Sequence, residues 1–223
     1  GEKLPTWVQD FNAQKNYMKY INKGWDMLKP IATYDESLTD DNPYEGTIYN
    51  APKPVFPYDL KAIYEKNDAA VMRVTPFGND LLNEFAKEAI DKEQLGKDDY
   101  TDFLTVSFSA TDYIGHIIGP RSIELQDTYL RLDLTIADFL NHLDKTVGKG
   151  NYLVFLTADH AGAENAQFLK DQKYDVTNVE FSTIRTLLKK FSVDTFGEDL
   201  ILNYSSSNVY FDNGKCRISS EGE

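Results

Sequence analysis

The chain has 223 residues, and 23 lysines and arginines stand against 36 aspartates and glutamates, which gives a formal net charge of −13 at pH 7. The acidic residues are scattered, and this disfavours a nucleic-acid-binding surface, which needs clustered Lys and Arg. The longest apolar runs have the length of buried strands and fall short of the roughly 20 residues that a membrane-spanning helix needs. The sequence therefore predicts a globular protein with no nucleic-acid-binding surface and no membrane segment.

Two features of composition concern the ends of the chain. The single cysteine, Cys216, excludes an internal disulfide and is interpreted as a free thiol. The sequence begins at Gly1 with neither an initiator methionine nor a signal-peptide pattern. We interpret it as an excised piece of a longer protein.

The predicted elements begin with a helix within the first 24 residues, which is entered at Pro5 and ends before Gly24. Residues 25–68 are rich in Pro, Asp, Asn and Tyr and have no sustained period, so they are predicted as a loop-rich lobe. Within that lobe, residues 34–58 are the expected source of substrate-facing surface. Residues 69–77, AAVMRVTPF, favour a strand, and the apolar stripe of residues 81–95 predicts a helix.

Residues 102–160 have the pattern of a βαβ unit, the predicted core of an α/β fold. Residues 102–108, DFLTVSF, and 152–158, YLVFLTA, are typical of strands that are buried on both faces of a parallel sheet. Between them, apolar positions at steps of three and four predict a long amphipathic helix. Beyond this unit, we expect a helix over residues 180–191 and edge strands within residues 201–213.

An aspartate and a histidine follow each of the two predicted buried strands. Asp112 and His116 are four residues apart after the first strand, and Asp159 and His160 are adjacent after the second. Ligand sites in parallel sheets gather at the carboxyl ends of strands, so both pairs are expected at one edge of the sheet. Carboxylate oxygen and imidazole nitrogen are suitable ligands for Zn²⁺ and similar metals. The pattern therefore predicts a metal site.

The structural alternative is that each Asp caps a turn and each His lies at the rim of the core. His142, within the long helix, is interpreted as a surface or interfacial histidine and not as a ligand. Two catalytic zinc ions would each require about three protein ligands, and the two pairs supply two per ion. Either the site is mononuclear, or further ligands lie outside these residues.

The segments FLTVSFSATDYIGHIIGPRSIELQDTYLRLD and NYLVFLTADHAG resemble the alkaline phosphatase superfamily, which also contains nucleotide pyrophosphatases/phosphodiesterases. The likeness is strongest to the bacterial alkaline phosphatases that use a threonine nucleophile. It includes the D-x-x-G-H-x-x-G-P form that begins at Asp112 and the separation of 47 residues between Asp112 and Asp159. Similar segments in the same order extend the resemblance over most of residues 5–212.

The resemblance implies an alkaline-phosphatase-like α/β fold with a mostly parallel sheet flanked by helices, incomplete within residues 1–223. It implies that Asp112 and His116 bind one zinc and that Asp159 and His160 bind a second. The complete enzyme would hydrolyse phosphate monoesters through a covalent phosphothreonine, in the periplasm or outside the cell. The nucleophile and the remaining ligands are expected outside this chain, which by itself is expected to be inactive.

Two other functions stay open at this point. A nucleotide pyrophosphatase or phosphodiesterase of the same superfamily would carry the same metal pairs. A noncatalytic module, in contrast, would retain the pairs as vestigial ligands. An incomplete sheet would also present an unpaired edge, which is a hazard for self-association.

Overall fold

The computed structural model describes residues 3–49, 51–177, 179–205 and 207–215, so Gly1 and Cys216 and the interpretations placed on them lie outside the described residues. The chain divides into two compact units, Gly1–Phe168 and Leu169–Glu223. None of the helices in the described ranges is both long enough and apolar enough to cross a membrane. The α-helices are α1 (Thr6–Gln14), α2 (Tyr17–Lys23), α3 (Leu60–Asn67), α4 (Phe77–Lys92), α5 (Ala110–Ile117), α6 (Ile123–Leu143), α7 (Ala166–Asp171) and α8 (Phe181–Phe196).

The helix predicted at the start of the chain is split into α1 and α2. Lys15 adopts a left-handed conformation with φ 49°, and its N–H donates to the Asn12 carbonyl, which ends α1. The chain then restarts as α2, which buries Ile21, whereas α1 has no fully buried residue. The break therefore turns the second helix towards the core, and Gly24, with φ 75°, ends it as the sequence predicts.

The strand predicted over residues 69–77 is wrong. A 3₁₀ helix, Asp68–Val74, occupies most of this range, and α4 begins at Phe77. Val71 and Val74 are both buried, and a separation of three residues places them on one side of a 3₁₀ helix. The spacing of the apolar residues thus fits a helical turn, although their β-branched character favoured a strand.

The loop-rich region that follows α2 is irregular except for the 3₁₀ helix Ile31–Thr33 and for α3 at its end. Trp25 and Tyr58 close the region at its base by exchanging two backbone hydrogen bonds of 3.1 and 2.9 Å. Asp59 then caps α3 by accepting a hydrogen bond from the Ala62 N–H. The region is therefore an ordered loop with fixed ends.

The two apolar runs predicted as parallel strands are not paired as strands. Within the described residues, 102–108 and 152–158 have no ladder partner, and Phe103 and Phe155 are 91% and 82% exposed. A strand requires a neighbour to satisfy its N–H and C=O groups, so apolar character alone does not create one. Within the described residues these two runs therefore form no strand ladder, and their pairing stays a prediction for the longer protein, whereas the helix between them is found as α6.

The second unit contains the sheet found in the described residues. Strands β1 (Ile201–Ser205) and β2 (Asn208–Phe211) form an antiparallel pair. Helix α8 precedes them and ends at Gly197, whose φ of 81° provides a left-handed cap. The helix and the strands expected in this part of the sequence are confirmed.

A fully buried carboxylate on α6 organises the core of the first unit. Asp127 accepts hydrogen bonds at 2.6–2.8 Å from the Trp25 indole, the Tyr34 hydroxyl, the Leu28 N–H and the Arg131 guanidinium. Burial and the hydrogen bond to Asp127 raise the pKa of Tyr34 to about 12, so its hydroxyl stays a donor. Every donor in this set comes from the loop-rich region or from α6. Asp127 therefore links the loop-rich region to α6.

We expect the substitution Asp127→Ala to reduce the free energy of unfolding by about 3–5 kcal/mol, because it leaves the partly buried Arg131 guanidinium and three other donors without this acceptor. Urea unfolding followed by tryptophan fluorescence measures the loss. The matched control is Asp133→Ala, since Asp133 lies exposed on the same helix. Equal effects of the two substitutions would contradict the role given to Asp127.

A second group of carboxyls, which we name the Glu124 cluster, joins the loop-rich region to the start of α6. It consists of Asp40, Glu45 and Glu124. Glu124 is fully buried, and its Oε1 accepts a hydrogen bond of 2.6 Å from the Tyr58 hydroxyl. Burial raises the pKa of Glu124 to about 7, and burial together with the charge of Glu124 raises the pKa of Glu45 to about 8. Burial also raises the pKa of Asp40.

The pKa of Glu124 predicts how the stability of the fold depends on pH. Because the folded pKa lies above the ordinary 4.5, this carboxyl favours folding fully below pH 4.5 and loses that contribution as the pH rises through about 7. In buffer with EDTA, the thermal midpoint of Glu124→Gln should therefore rise relative to that of the unchanged chain between about pH 5 and about pH 8.5. A difference in midpoint that stays constant, or that falls with pH, would contradict the prediction.

Candidate metal centre

The first two predicted ligands lie on α5. Asp112 and His116 are four residues apart and share one face of this helix, on which Nε2 of His116 lies 3.3 Å from Oδ1 of Asp112. Ala110 and Ile114 are buried on the same helix, and Ile114 has no exposed surface. The apolar residues thus fix the helix against the core while the two ligand side chains face outwards.

The start of α5 is held by a buried asparagine of α4. Asn79 donates to the Thr111 hydroxyl at 3.1 Å, and its Oδ1 accepts a hydrogen bond of 3.3 Å from the Ala110 N–H. A Cβ atom at Gly78 would stand 2.4 Å from the Met72 carbonyl oxygen, so the start of α4 can pack this closely only with glycine. No side chain of α5 caps its first turn, so Asn79 provides the hydrogen-bond partners for the Ala110 N–H and the Thr111 hydroxyl.

The end of α5 is held by the loop-rich region. The Gly46 N–H donates to the Ile118 carbonyl at 2.8 Å, and a Cβ atom at Gly46 would stand 2.1 Å from the Ile117 carbonyl oxygen. Beyond the helix, Gly119 has φ 136°, and Ser122 caps α6 through a 3.1 Å bond from the Leu125 N–H. The glycine and proline of the D-x-x-G-H-x-x-G-P form thus mark the turn between α5 and α6.

His160 approaches the α5 pair from the second predicted strand end. Its Nδ1 lies 3.1 Å from the Ala161 carbonyl oxygen, and its Nε2 lies 3.4 Å from Oδ1 of Asp112. When Nδ1–H donates to that carbonyl, Nε2 keeps its lone pair directed at the group on α5. The same hydrogen bond, followed by the charges of Asp159 and Asp112, raises the pKa of His160.

Asp112, His116 and His160 together offer three ligand atoms that all lie within 4.8 Å of one another. Tetrahedral zinc with bonds of about 2.0–2.1 Å separates its ligand atoms by about 3.4 Å, and both nitrogen-to-Asp112 distances match this separation. The three side chains are exposed, so one side of the group is accessible. The donor types and the two distances to Asp112 therefore fit a zinc ion.

The fourth predicted ligand, Asp159, lies at the margin of this group. Its Oδ2 is 3.7 Å from Nε2 of His160, and its side chain is 90% exposed. Asp112 stands within 3.4 Å of a nitrogen of each histidine, so the structure groups the residues around Asp112. His142 lies elsewhere, with Nε2 3.2 Å from Asp91 on α4, and this position matches its interpretation as an interfacial residue.

A groove of about 480 Å³ runs beside His116. Its walls include residues 43–46 of the loop-rich region and residues 115–120 of the metal-binding motif. Asn165 completes the groove and donates to the Tyr44 carbonyl at 3.2 Å. The sequence analysis expected the loop-rich region to form a substrate-facing surface, and residues 43–46 of that region line this groove. It did not single out Asn165, although an asparagine just before a helix is a common capping residue, and its Oδ1 accepts hydrogen bonds from the first turn of α7.

Comparison with known proteins shows the family to which this chain belongs. The family model for type I phosphodiesterase / nucleotide pyrophosphatase matches residues 5–185. The chain therefore belongs to the type I phosphodiesterase / nucleotide pyrophosphatase family.

Individual relatives carry the name alkaline phosphatase. The chain is 53% identical over 171 residues to alkaline phosphatase PhoV of Synechococcus elongatus and 45% identical over 216 residues to alkaline phosphatase PafA of Elizabethkingia meningoseptica. These matches cover 77% and 95% of the chain but 31% and 39% of the relatives. The chain thus spans less than half the length of the curated relatives that it matches.

A crystal structure of wild-type alkaline phosphatase PafA shares the fold. It matches 96% of this chain with a TM-score of 0.87 and 44% sequence identity, and the chain covers 41% of the crystallised protein. This likeness confirms the alkaline-phosphatase-like α/β fold class. Residues 1–223 form an incomplete part of that fold.

If Asp112 and His116 hold a zinc ion beside His160, the substitution His116→Gln should weaken zinc binding at least about tenfold, because it removes one of the converging ligands. Competition with a zinc-binding dye measures the affinity. His142→Gln is the matched control, since His142 contacts a carboxylate outside the group. If the two substitutions weaken zinc binding equally, the assignment of the site is contradicted.

Proposed function

We propose that the parent protein is a zinc-dependent phosphatase that hydrolyses phosphate monoesters through a dinuclear site and a covalent phosphothreonine. The observation that carries this proposal is the convergence of Asp112, His116 and His160 from two segments of the chain to within 4.8 Å. The 45–53% identity to proteins named alkaline phosphatase supports the same class of reaction.

In this proposal, Asp112 and His116 hold one zinc, and Asp159 and His160 hold the second. Because Asp112 lies close to both histidines, ions held by the two pairs would be neighbours. When bound, zinc would supply positive charge for phosphoryl oxygens beside a chain whose formal net charge is −13.

The remaining groups of this chain position the site. Asn79 and Gly46 fix the two ends of α5, and the Ala161 carbonyl selects the His160 tautomer that binds through Nε2. The groove beside His116 provides room for the alcohol portion of the phosphate ester. These residues therefore orient the metal ligands and the leaving group.

The rest of the parent chain is proposed to complete both the sheet and the site. Phe103, Leu153, Phe155 and Leu156 are 78–91% exposed, although their sequence pattern is that of buried strands. Neighbouring strands supplied by the parent would cover these side chains and satisfy the backbone. The same missing portion is proposed to carry the threonine nucleophile and the further ligands. The parent protein is proposed to act in the periplasm or outside the cell.

A second candidate function is the hydrolysis of phosphodiesters or nucleotide pyrophosphates. The description of the matching family model favours it, and the same four metal ligands serve that reaction. The two functions differ in the positive side chains that contact the additional nonbridging oxygen of a monoester. Within the described residues around the groove, Arg121 is paired with Glu164 at 2.8 Å, so that contact is assigned to the rest of the parent chain.

Full-length parent protein loaded with zinc should hydrolyse p-nitrophenyl phosphate faster than a matching p-nitrophenyl diester. The 223-residue chain should turn over neither substrate, because the nucleophile lies outside it. Asp112→Asn in the parent should lower monoesterase activity by at least about a hundredfold, whereas His142→Asn should leave it unchanged. A markedly faster diester reaction would favour the second candidate, and inactivity of the zinc-loaded parent on both substrates would favour a noncatalytic module.

A further inference from the structure

A second groove, which we name the α4–α6 groove, lies between these two helices. It has a volume of about 280 Å³, and α4 contributes Asp80, Asn83, Glu84 and Lys87 to its walls. These positions recur at steps of three and four residues, so they share one face of α4. Side chains of α6 between residues 131 and 138 form the opposite wall. The groove is therefore a largely polar surface that the reaction proposed above does not use.

The amide oxygen of Asn83 is buried and has no hydrogen-bond partner among the described residues. Asn83 is 4% exposed, and its amino group donates to Asp138 at 2.8 Å. Because a carboxylate only accepts hydrogen bonds, the contact with Asp138 fixes which end of the amide carries the oxygen. A buried carbonyl oxygen without a donor is costly. Since Asn83 lines the groove, a donor that enters the groove would satisfy this oxygen.

The donor side chains that line the groove are engaged by carboxylates. Each of them donates to one: Lys87 to Asp138, Tyr20 to Glu84, Thr135 to Asp80 and Arg131 to Asp127. A carboxylate has about four acceptor positions, so these contacts leave acceptor positions open. The groove therefore favours a ligand that is rich in hydrogen-bond donors.

Asp80 is the carboxylate of the groove that lacks an ionic partner. Within the described residues, Glu84 and Asp138 are paired with Lys19 and Lys87, whereas Asp80 forms no ion pair. Burial raises the pKa of Asp80, and the hydrogen bond from Thr135 offsets this effect only in part. A positive ligand would favour the charged form of this carboxyl.

We propose that the α4–α6 groove binds a primary ammonium group carried on a short alkyl chain. An ammonium has three N–H donors and one positive charge, which match the unpartnered Asn83 oxygen and the Asp80 carboxylate. Leu28 and Leu134 also line the groove and provide apolar contact for the alkyl chain. The volume of about 280 Å³ lies just below that of a typical small-molecule site, so the ligand is small.

The spacing of the acidic groups favours an organic cation over a metal ion. Within the described residues, the group whose ligand atoms all lie within 4.8 Å is Asp112, His116 and His160. Asp80 and Glu84 are not in that group. An ammonium does not require several carboxylates to converge, because each of its N–H groups can meet a different acceptor.

An ammonium in the groove would tie α4 to α6 on the helix that also holds α5. Asn79 precedes Asp80 on α4 and bonds the Ala110 N–H and the Thr111 hydroxyl at the start of α5. Thr135 already joins α6 to Asp80. The ligand would therefore stabilise the contact between α4 and α6, and this role needs neither zinc nor the nucleophile.

Saturation-transfer NMR and calorimetric titration of the full-length parent protein with n-butylamine test the site. Butylamine is protonated at neutral pH, as a lysine side chain is, and should bind saturably. Two analogues of the same shape separate the contributions. n-Butanol lacks the charge, and N,N,N-trimethylbutan-1-aminium keeps the charge but has no N–H donor. Both should bind at least about tenfold more weakly than butylamine.

Three substitutions locate the binding. Asp80→Asn should weaken butylamine binding at least about tenfold, because it removes the charge and keeps the shape. Leu134→Lys, at a position that is 56% exposed, should block the groove with its own ammonium and leave the buried residues unchanged. Glu88→Gln is the matched control, since Glu88 lies on α4 outside the groove and pairs with Lys92. It should leave the affinity unchanged.

Thermal unfolding provides a second readout. Butylamine should raise the unfolding midpoint of the unchanged protein and of Glu88→Gln, but not that of Asp80→Asn, with circular dichroism confirming that all three are folded. Absent butylamine binding would mean that water satisfies Asn83, and it would overturn the proposal. Equal binding of either analogue, or an affinity that is insensitive to both Asp80→Asn and Leu134→Lys, would overturn it as well.

Discussion

The first unit depends on the buried carboxylate of Asp127. Its two oxygens accept hydrogen bonds from the loop-rich region and from Arg131 on α6, and this satisfies donors on both sides of the junction. A buried charge is tolerated only where such partners surround it, so the loop and the helix must be placed together. Since α6 follows α5 after one short turn, the position of the metal-binding helix rests on this same junction.

The ligands of the candidate metal centre on α5 are held by more contacts than the ligand His160. Asp112 and His116 lie on a helix whose two ends are held by Asn79 and Gly46. His160 follows an apolar run without strand partners, and within the described residues its ring is oriented by the Ala161 carbonyl and by Asp112. Strand pairing in the parent protein would therefore affect the second pair of ligands more than the first.

Local sequence signals predicted the elements that depend on local physics. The apolar stripes of α4, α6 and α8 and the polar motif at Asp112 required no knowledge of distant residues. In contrast, the strands predicted at 102–108 and 152–158 would require pairing partners that periodicity cannot reveal. The 3₁₀ helix at Asp68–Val74 was missed because the burial of its valines outweighs their strand propensity, and the left-handed turn at Lys15 was missed because such a position usually carries glycine. Asn79 and Glu124 carry no local motif, and their roles emerge only from contacts with distant segments.

We propose above that Asp112, His116 and His160 are ligands of a zinc centre that the parent protein completes. A crystal structure of the parent with zinc, with anomalous scattering recorded at the zinc edge, tests this claim most directly. We expect anomalous peaks within bonding distance of these three side chains, and of Asp159 once its strand is paired. Zinc bound elsewhere, with Asp112 and both histidines free of metal, would contradict it.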